Sequence, residues 1–398
     1  MSADSSQPPS PPSAASGLPR ALALLLLFGA LPTLPLLGVR HLGLETAPFL
    51  EPLPNLQRVT HAPFSWLAFA LLALAILAVL TPFAVRLGRY RGPLPAGPTL
   101  RPFPFWGWLG LLALALSWTA AWTRLPALAS VQAWTFAPLW LSYVVVVSAL
   151  AARYGGRPAL LAPRAWLLWP LGAAFWWLFE YLNRFVESWT YQGADFSRPG
   201  SLFWHGILPM ATVLPAVVAT QDLLARSPRL TAPFREAWRL PTPSHPRLVA
   251  ALVVLASGIG LCALPLYPNL LFPLLWLAPL SLLLGGRVLF GERPRLLREL
   301  ACGDWRRAVT FALAALACGF CWELWNSFSQ ARWTYSIPYV GGVRVFEMPL
   351  LGYAGYPPFG LECAAVAGLI GFVGRRSPSE PPLGVVGGED LEQESEQR

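Results

Sequence analysis

Residues 319–362 read GFCWELWNSFSQARWTYSIPYVGGVRVFEMPLLGYAGYPPFGLE. The stretch continues an apolar run, yet it holds Glu323, Asn326, Glu347 and Glu362 among Trp, Tyr, Pro and Gly. An earlier segment, FWWLFEYLNRFVESWTYQG at 175–193, opens in the same way. Glu180 and Glu323 stand 143 residues apart, as do Asn183 and Asn326, Phe185 and Phe328, Phe203 and Phe346, and Pro215 and Pro358. Trp189-Thr190-Tyr191 returns as Trp333-Thr334-Tyr335, one residue out of phase, and Ala137-Pro138-Leu139 is echoed by Ala278-Pro279-Leu280. Acids and amides inside oily helices are costly and by default mark functional positions.

The surroundings of these two segments are just as oily. Of 398 residues, 55% are hydrophobic and 12% charged, against about 25% charged in ordinary chains. Apolar runs close to the length needed to cross a hydrocarbon core of about 30 Å recur along the chain. The sequence therefore describes an all-α polytopic membrane protein. About ten transmembrane helices are expected, near 18–39, 63–85, 103–123, 134–152, 165 to between 183 and 189, 202–224, 247–266, 270–289, 306–327 and 357–374. Pro32 and Pro35 interrupt the first, and a single arginine precedes it, which favours an uncleaved span over a signal peptide. Residues 1–17, rich in Ser and Pro, and 377–398, rich in Glu and Gly, are expected to be disordered tails.

The net charge of +9 comes from arginine, since the chain has no lysine. In the ten-span layout 22 of the 29 arginines fall on one side, the imbalance that sets topology. Both termini are then cytoplasmic, in an inner or plasma membrane. Arginines spread over short loops do not form a nucleic-acid groove, so the bilayer itself is the expected partner. The five cysteines give no disulfide framework, and Cys318-x-x-Cys321 lies inside an apolar run, where packing is the better reading. Four scattered histidines offer no ligand spacing, and there is no nucleotide-binding glycine loop. No cofactor or metal is implied.

The 143-residue period joins 103–225 to 247–374 as two units of four helices. Because four helices return the chain to its starting side, the copies share one orientation, related by an axis along the membrane normal. Residues 18–86 form an accessory pair of helices. Glu180 with Asn183, and Glu323 with Asn326, share helix faces at i and i+3. They are expected to present two carboxylates and two amides to one cavity, with Trp189, Trp333 and Tyr335 following at the outer interface. Other readings of the same residues stand beside this one. Arg184 could pair with Glu180 at i+4, the Trp-Thr-Tyr triplets could be interfacial anchors, and the asparagines could bind helix to helix. Gly and Pro between 341 and 358 predict a broken or re-entrant segment before the last helix, where Glu362 would be placed to act as a general acid. At the 143-residue period Trp204 replaces Glu347 and Ala219 replaces Glu362, so chemistry is expected in the second unit.

With Glu180 nine residues before Trp189, and Glu323 ten before Trp333, the chain resembles the membrane-embedded lycopene cyclases built from two related helical domains. That likeness covers about thirty residues per unit. The family's Pro-x-Glu-Glu motif is met here by Pro349-Leu-Leu and Pro209-Met-Ala. The resemblance implies a shared fold and a long isoprenoid or carotenoid-type lipid as ligand. An enzyme of this kind would protonate a double bond with Glu323 or Glu362, Glu347 and Glu180 being the other candidate acids. Asn183, Asn326, Trp189, Trp322, Trp325, Trp333, Tyr335, Tyr353 and Tyr356 would line the binding site, where aromatic faces stabilise a cation. A proton-coupled transporter or lipid carrier would use the same features, and so would a non-catalytic assembly protein with acids as helix glue.

Overall fold

The structure, a computed structural model, describes residues 18–50, 58–97, 99–194 and 200–372. The expected tails at 1–17 and 377–398 lie outside the described residues. Helix dominates, and every expected span contains one. Seven helices are long and apolar enough to cross a membrane: α1 (Arg20–His41), α2 (Trp66–Arg89), α3 (Phe105–Trp122), α4 (Phe136–Arg153), α6 (Phe203–Leu224), α7 (Pro246–Ala263) and α9 (Arg306–Phe328). The other three are shorter, α5 (Leu168–Asn183), α8 (Leu274–Leu289) and α10 (Tyr356–Leu369). The last helix thus stops before residue 374, the expected end. Their length is limited at known points. Trp-Thr-Tyr strands follow α5 and α9, and Pro357 and Pro358 sit in the first turn of α10, where a missing N–H costs nothing.

The helices pack in a pattern that occurs twice. α3 lies on α4, α4 on α6, and α5 on α6. In the second half α7 lies on α8, α8 on α10, and α9 on α10. The halves meet chiefly where α9 crosses α6. α9 and α10 approach so closely that a Cβ at Gly360 would collide with the Phe311 carbonyl oxygen. Gly360→Ala is therefore expected to force these backbones apart and cost about 1–3 kcal/mol, as overpacked cores do. A lowered thermal midpoint of the detergent-purified chain would register it, and an unchanged midpoint would contradict the close crossing.

The first two helices do not form the expected accessory pair. α1 packs into the second half against α7 and α8, and Tyr181 Oη donates to the Pro32 carbonyl at 2.5 Å. A π-helical turn at Leu26–Ala30 precedes the two prolines of α1, where the backbone ladder is interrupted. α2 stands apart, with none of its residues buried. It is tied at its ends, where Ser65 N donates to the Tyr339 carbonyl at 2.8 Å and Arg86 Nε to the Pro233 carbonyl at 2.6 Å. Hydrophobicity gave these segments the same signature, but partners follow from side-chain shape, which differs between them.

The predicted broken helix before α10 is instead a hairpin and a 3-10 turn. β3 (Arg344–Val345) pairs antiparallel with β4 (Met348–Pro349), and a 3-10 segment at Leu350–Gly355 leads into α10. Phe346, with φ of 56°, turns the hairpin. Glu347 is the other turn residue and is half-buried.

Candidate functional site

Both Trp-Thr-Tyr triplets are strands, and they pair with each other. β1 (Trp189–Gln192) runs antiparallel to β2 (Arg332–Tyr335), with Thr190 opposite Thr334 and each tryptophan roughly opposite the other strand's tyrosine. Side chains alternate across a strand. Trp189, Tyr191, Trp333 and Tyr335 therefore share one face. Thr190, Gln192 and Thr334 share the other, where Thr190 Oγ1 lies 3.3 Å from Thr334 Oγ1 and Gln192 Nε2 donates to that oxygen at 3.3 Å. The triplets are a two-stranded roof rather than separate interfacial anchors.

The asparagines hold this roof in place. Asn183 Nδ2 donates to the Trp189 carbonyl at 2.8 Å, and Trp189 N donates back to Asn183 Oδ1 at 3.3 Å. Asn326 does the same to Trp333, at 2.7 and 2.8 Å. Both amides are thus used as two-point clamps on backbone, not as ligand contacts or as glue between helices. The clamps also explain the phase slip in the sequence. Six residues separate Asn183 from Trp189 and seven separate Asn326 from Trp333, yet both end on the same tryptophan. The connection absorbs the extra residue.

The two glutamates start alike and end differently. Glu180 receives Tyr191 Oη at 2.5 Å, Trp176 Nε1 at 2.9 Å, and Trp189 Nε1 at 3.3 Å from each oxygen. Trp176, four residues back on the same helix face, takes the place expected of Arg184, whose Nη1 donates to the Phe49 carbonyl at 3.2 Å. Glu323 receives Tyr335 Oη and Tyr356 Oη, both at 2.8 Å and both on Oε1. Trp333 Nε1 donates to Tyr335 Oη at 2.8 Å. Glu323 Oε2 is buried with no hydrogen-bond partner. Burial, with the adjacent Glu180 and Glu323 carboxylates, pushes the phenols of Tyr191 and Tyr335 above their ordinary range, so both strand tyrosines stay protonated donors.

Beneath the roof lies an aromatic cavity of about 1090 Å³, its open mouth included. Of the four candidate acids, Glu323 alone lines it. The expected pair of carboxylates and pair of amides facing one space is therefore corrected to one carboxylate. Glu180 is spent on three aromatic donors. Glu347 sits in the hairpin turn, beside the lining residue Met348. Glu362 faces α8, accepting from Leu280 N at 3.3 Å. Trp322, Trp333, Tyr335, Tyr356 and Trp189 line the cavity as expected positions. Trp325 does not, being packed against Trp118 and Trp140. Nor does Tyr353, whose hydroxyl donates to the Val345 carbonyl at 3.2 Å.

Sequence reasoning missed Trp176, Trp276, Phe136 and Met348, which complete the wall. Trp176 could have been found from its i−4 spacing to Glu180. Trp276 could not, because it belongs to α8, whose rotation no local pattern records. Cys318 is buried against Thr220 Oγ1 (3.4 Å) and Tyr143 Oη (3.8 Å), a packing role.

One carboxyl with a spare oxygen, held by two phenols in a water-poor aromatic chamber, can exchange a proton with an apolar ligand that lacks polar groups of its own. No protein-family model, curated protein or solved structure matches the chain.

Proposed function

We propose that the chain is an integral-membrane enzyme acting on a long polyene or prenyl lipid, with Glu323 as the general acid. The observation that carries this reading is Glu323 itself, 0% exposed, lining the cavity with Oε2 unpartnered. The step balances without a co-reactant. Protonated Glu323 gives its Oε2 proton to one carbon of a double bond, whose π electrons form the new C–H bond. The neighbouring carbon becomes a cation, stabilised by the faces of Trp176, Trp276 and Trp322. Loss of a proton from an adjacent carbon back to the carboxylate restores the acid and leaves an isomerised or cyclised product. The distant likeness to membrane-embedded lycopene cyclases favours an isoprenoid over other lipids.

The same reading takes the ten helices as ten spans, with both termini cytoplasmic and the two four-helix units as parallel repeats. The duplicated packing pattern and the paired clamps support it. So does the β1–β2 sheet, whose two strands interchange about an axis through its centre while keeping their aromatic faces on one side.

Expression in a lycopene-accumulating bacterial host, followed by pigment and neutral-lipid chromatography, tests the function. A new product that depends on the chain is expected. An unchanged chromatogram, with the protein folded in the membrane, would reject lycopene as substrate and turn the search to other prenyl lipids in the same assay.

A further inference from the structure

The acid chemistry leaves the mouth of the cavity unused, and the mouth has its own character. The deep wall is closed: Glu323 is 0% exposed, Trp189 4%, Trp322 5% and Tyr356 8%. At the other end Ala133, His205, Gly206 and Pro209 are all half-buried lining residues. Just beyond them the surface is apolar and open, with Trp134, Trp204 and Leu208 all exposed. Trp204 and Leu208 belong to α6, a helix long enough to span, so this surface belongs in lipid.

The route from the aqueous side is covered. The roof turns its hydroxyl and amide face away from the cavity. Residues 58–61 strap the end of the roof at Trp189 and Tyr335. Arg58 N and Val59 N donate to Glu187 at 2.8 and 3.0 Å. His61 Nε2 lies 2.8 Å from the Val186 carbonyl, and its Nδ1 lies 2.7 Å from Ser336 Oγ. The lining residues Ala331 and Arg332 mark the unstrapped end, toward Phe136, which packs on Trp333 at 5.1 Å. The cavity thus opens sideways, between α6 and the segment that precedes α4.

His205 stands in that opening. Its ring lies parallel to the Trp134 indole, centroids 3.9 Å apart and planes at 19°. Stacking covers a ring face and leaves the edge, where both nitrogens sit, for hydrogen bonding. An imidazole is a costly choice for a portal that passes bare hydrocarbon, and a suitable one for a lipid with a polar end.

We propose that the cavity takes an amphiphilic lipid from the bilayer, chain toward Glu323 and hydroxyl-type head at the edge of His205. This rests on the reading of the cavity as a prenyl-lipid site and narrows its ligand from hydrocarbons to prenol-like molecules. The test is equilibrium binding of tritiated geranylgeraniol and tritiated phytane, an alcohol and a hydrocarbon of similar chain, to the full chain in phosphatidylcholine nanodiscs. The wild-type protein is expected to prefer the alcohol by about tenfold, the worth of one hydrogen bond to a desolvated head. His205→Phe keeps the stack on Trp134 and is expected to abolish the preference while leaving phytane affinity within about twofold. Equal affinities in the wild type overturn the proposal, whatever the variant does. A preference that survives in His205→Phe, or in His205→Leu should the first not fold, overturns it too. If neither probe binds, the cavity is not a prenyl-lipid site and both readings fall together.

Discussion

Glu323→Gln is expected to lower product formation about 100-fold or more, the scale of losing a general acid, while the protein still reaches the membrane at wild-type level. Glutamine keeps the side chain's volume, and its carbonyl oxygen can still accept from Tyr335 and Tyr356 at Oε1. The amide nitrogen then occupies the position of Oε2, which has no hydrogen-bond partner. No donor is set against a donor, so the fold has little reason to suffer. What disappears is the acidic proton, since an amide N–H does not protonate an alkene. Glu180→Gln is the contrast within the same molecule. Both of its oxygens face donors, so one amide orientation or the other sets an NH₂ against an indole or phenol. That variant is expected to lose thermal stability by about 1–3 kcal/mol and to keep its turnover per folded molecule. Equal turnover in wild type and Glu323→Gln, measured on matched amounts of membrane protein, would remove Glu323 from the chemistry.

The difference between the two glutamates marks where sequence reasoning stops. The helices were legible because apolar runs of spanning length have few other uses, and even the three shorter ones lay where hydropathy put them. The 143-residue period was legible too, and it picked out the right pair of helices. Neither could reveal that the Trp-Thr-Tyr triplets pair as strands, because four residues carry too little pattern and their partners lie far away in the chain. The asparagines were correctly seen to share a face with the acids, but their partners are backbone atoms fixed by a turn. Glu362 shows the same limit most clearly. Its proximity to Leu280 depends on how α10 is rotated against α8, and a sequence with acids on several faces does not specify that. Trp176 at i−4 to Glu180 was readable from spacing, and Arg184 at i+4 drew attention away from it because charge is the more familiar partner of an acid.

The largest expected loss of stability lies away from the cavity, at Asp222. Asp222 and Arg226 form an ion pair on α6 at 2.8 Å, with both side chains 2% exposed. Neither can recover water if its partner leaves. The pair is also satisfied on its outer sides. Asp222 Oδ2 accepts from Ala159 N at 2.9 Å, and Arg226 donates to the Gly155 and Arg157 carbonyls. The two residues therefore fasten the connection between α4 and α5 to the end of α6, and so fix where α5 and its glutamate begin. Asp222→Ala leaves a buried guanidinium without its counter-charge and an amide without its acceptor. Removing one partner of such a pair costs about 3–5 kcal/mol. Asp222→Ala combined with Arg226→Leu removes both charges, and is expected to recover a large part of that loss, because the main penalty comes from the uncompensated ion and not from the missing attraction. Thermal midpoints of the two variants in one detergent separate the cases. A double variant no more stable than Asp222→Ala would mean that the hydrogen bonds to the 155–159 loop, rather than charge compensation, hold this end of the bundle.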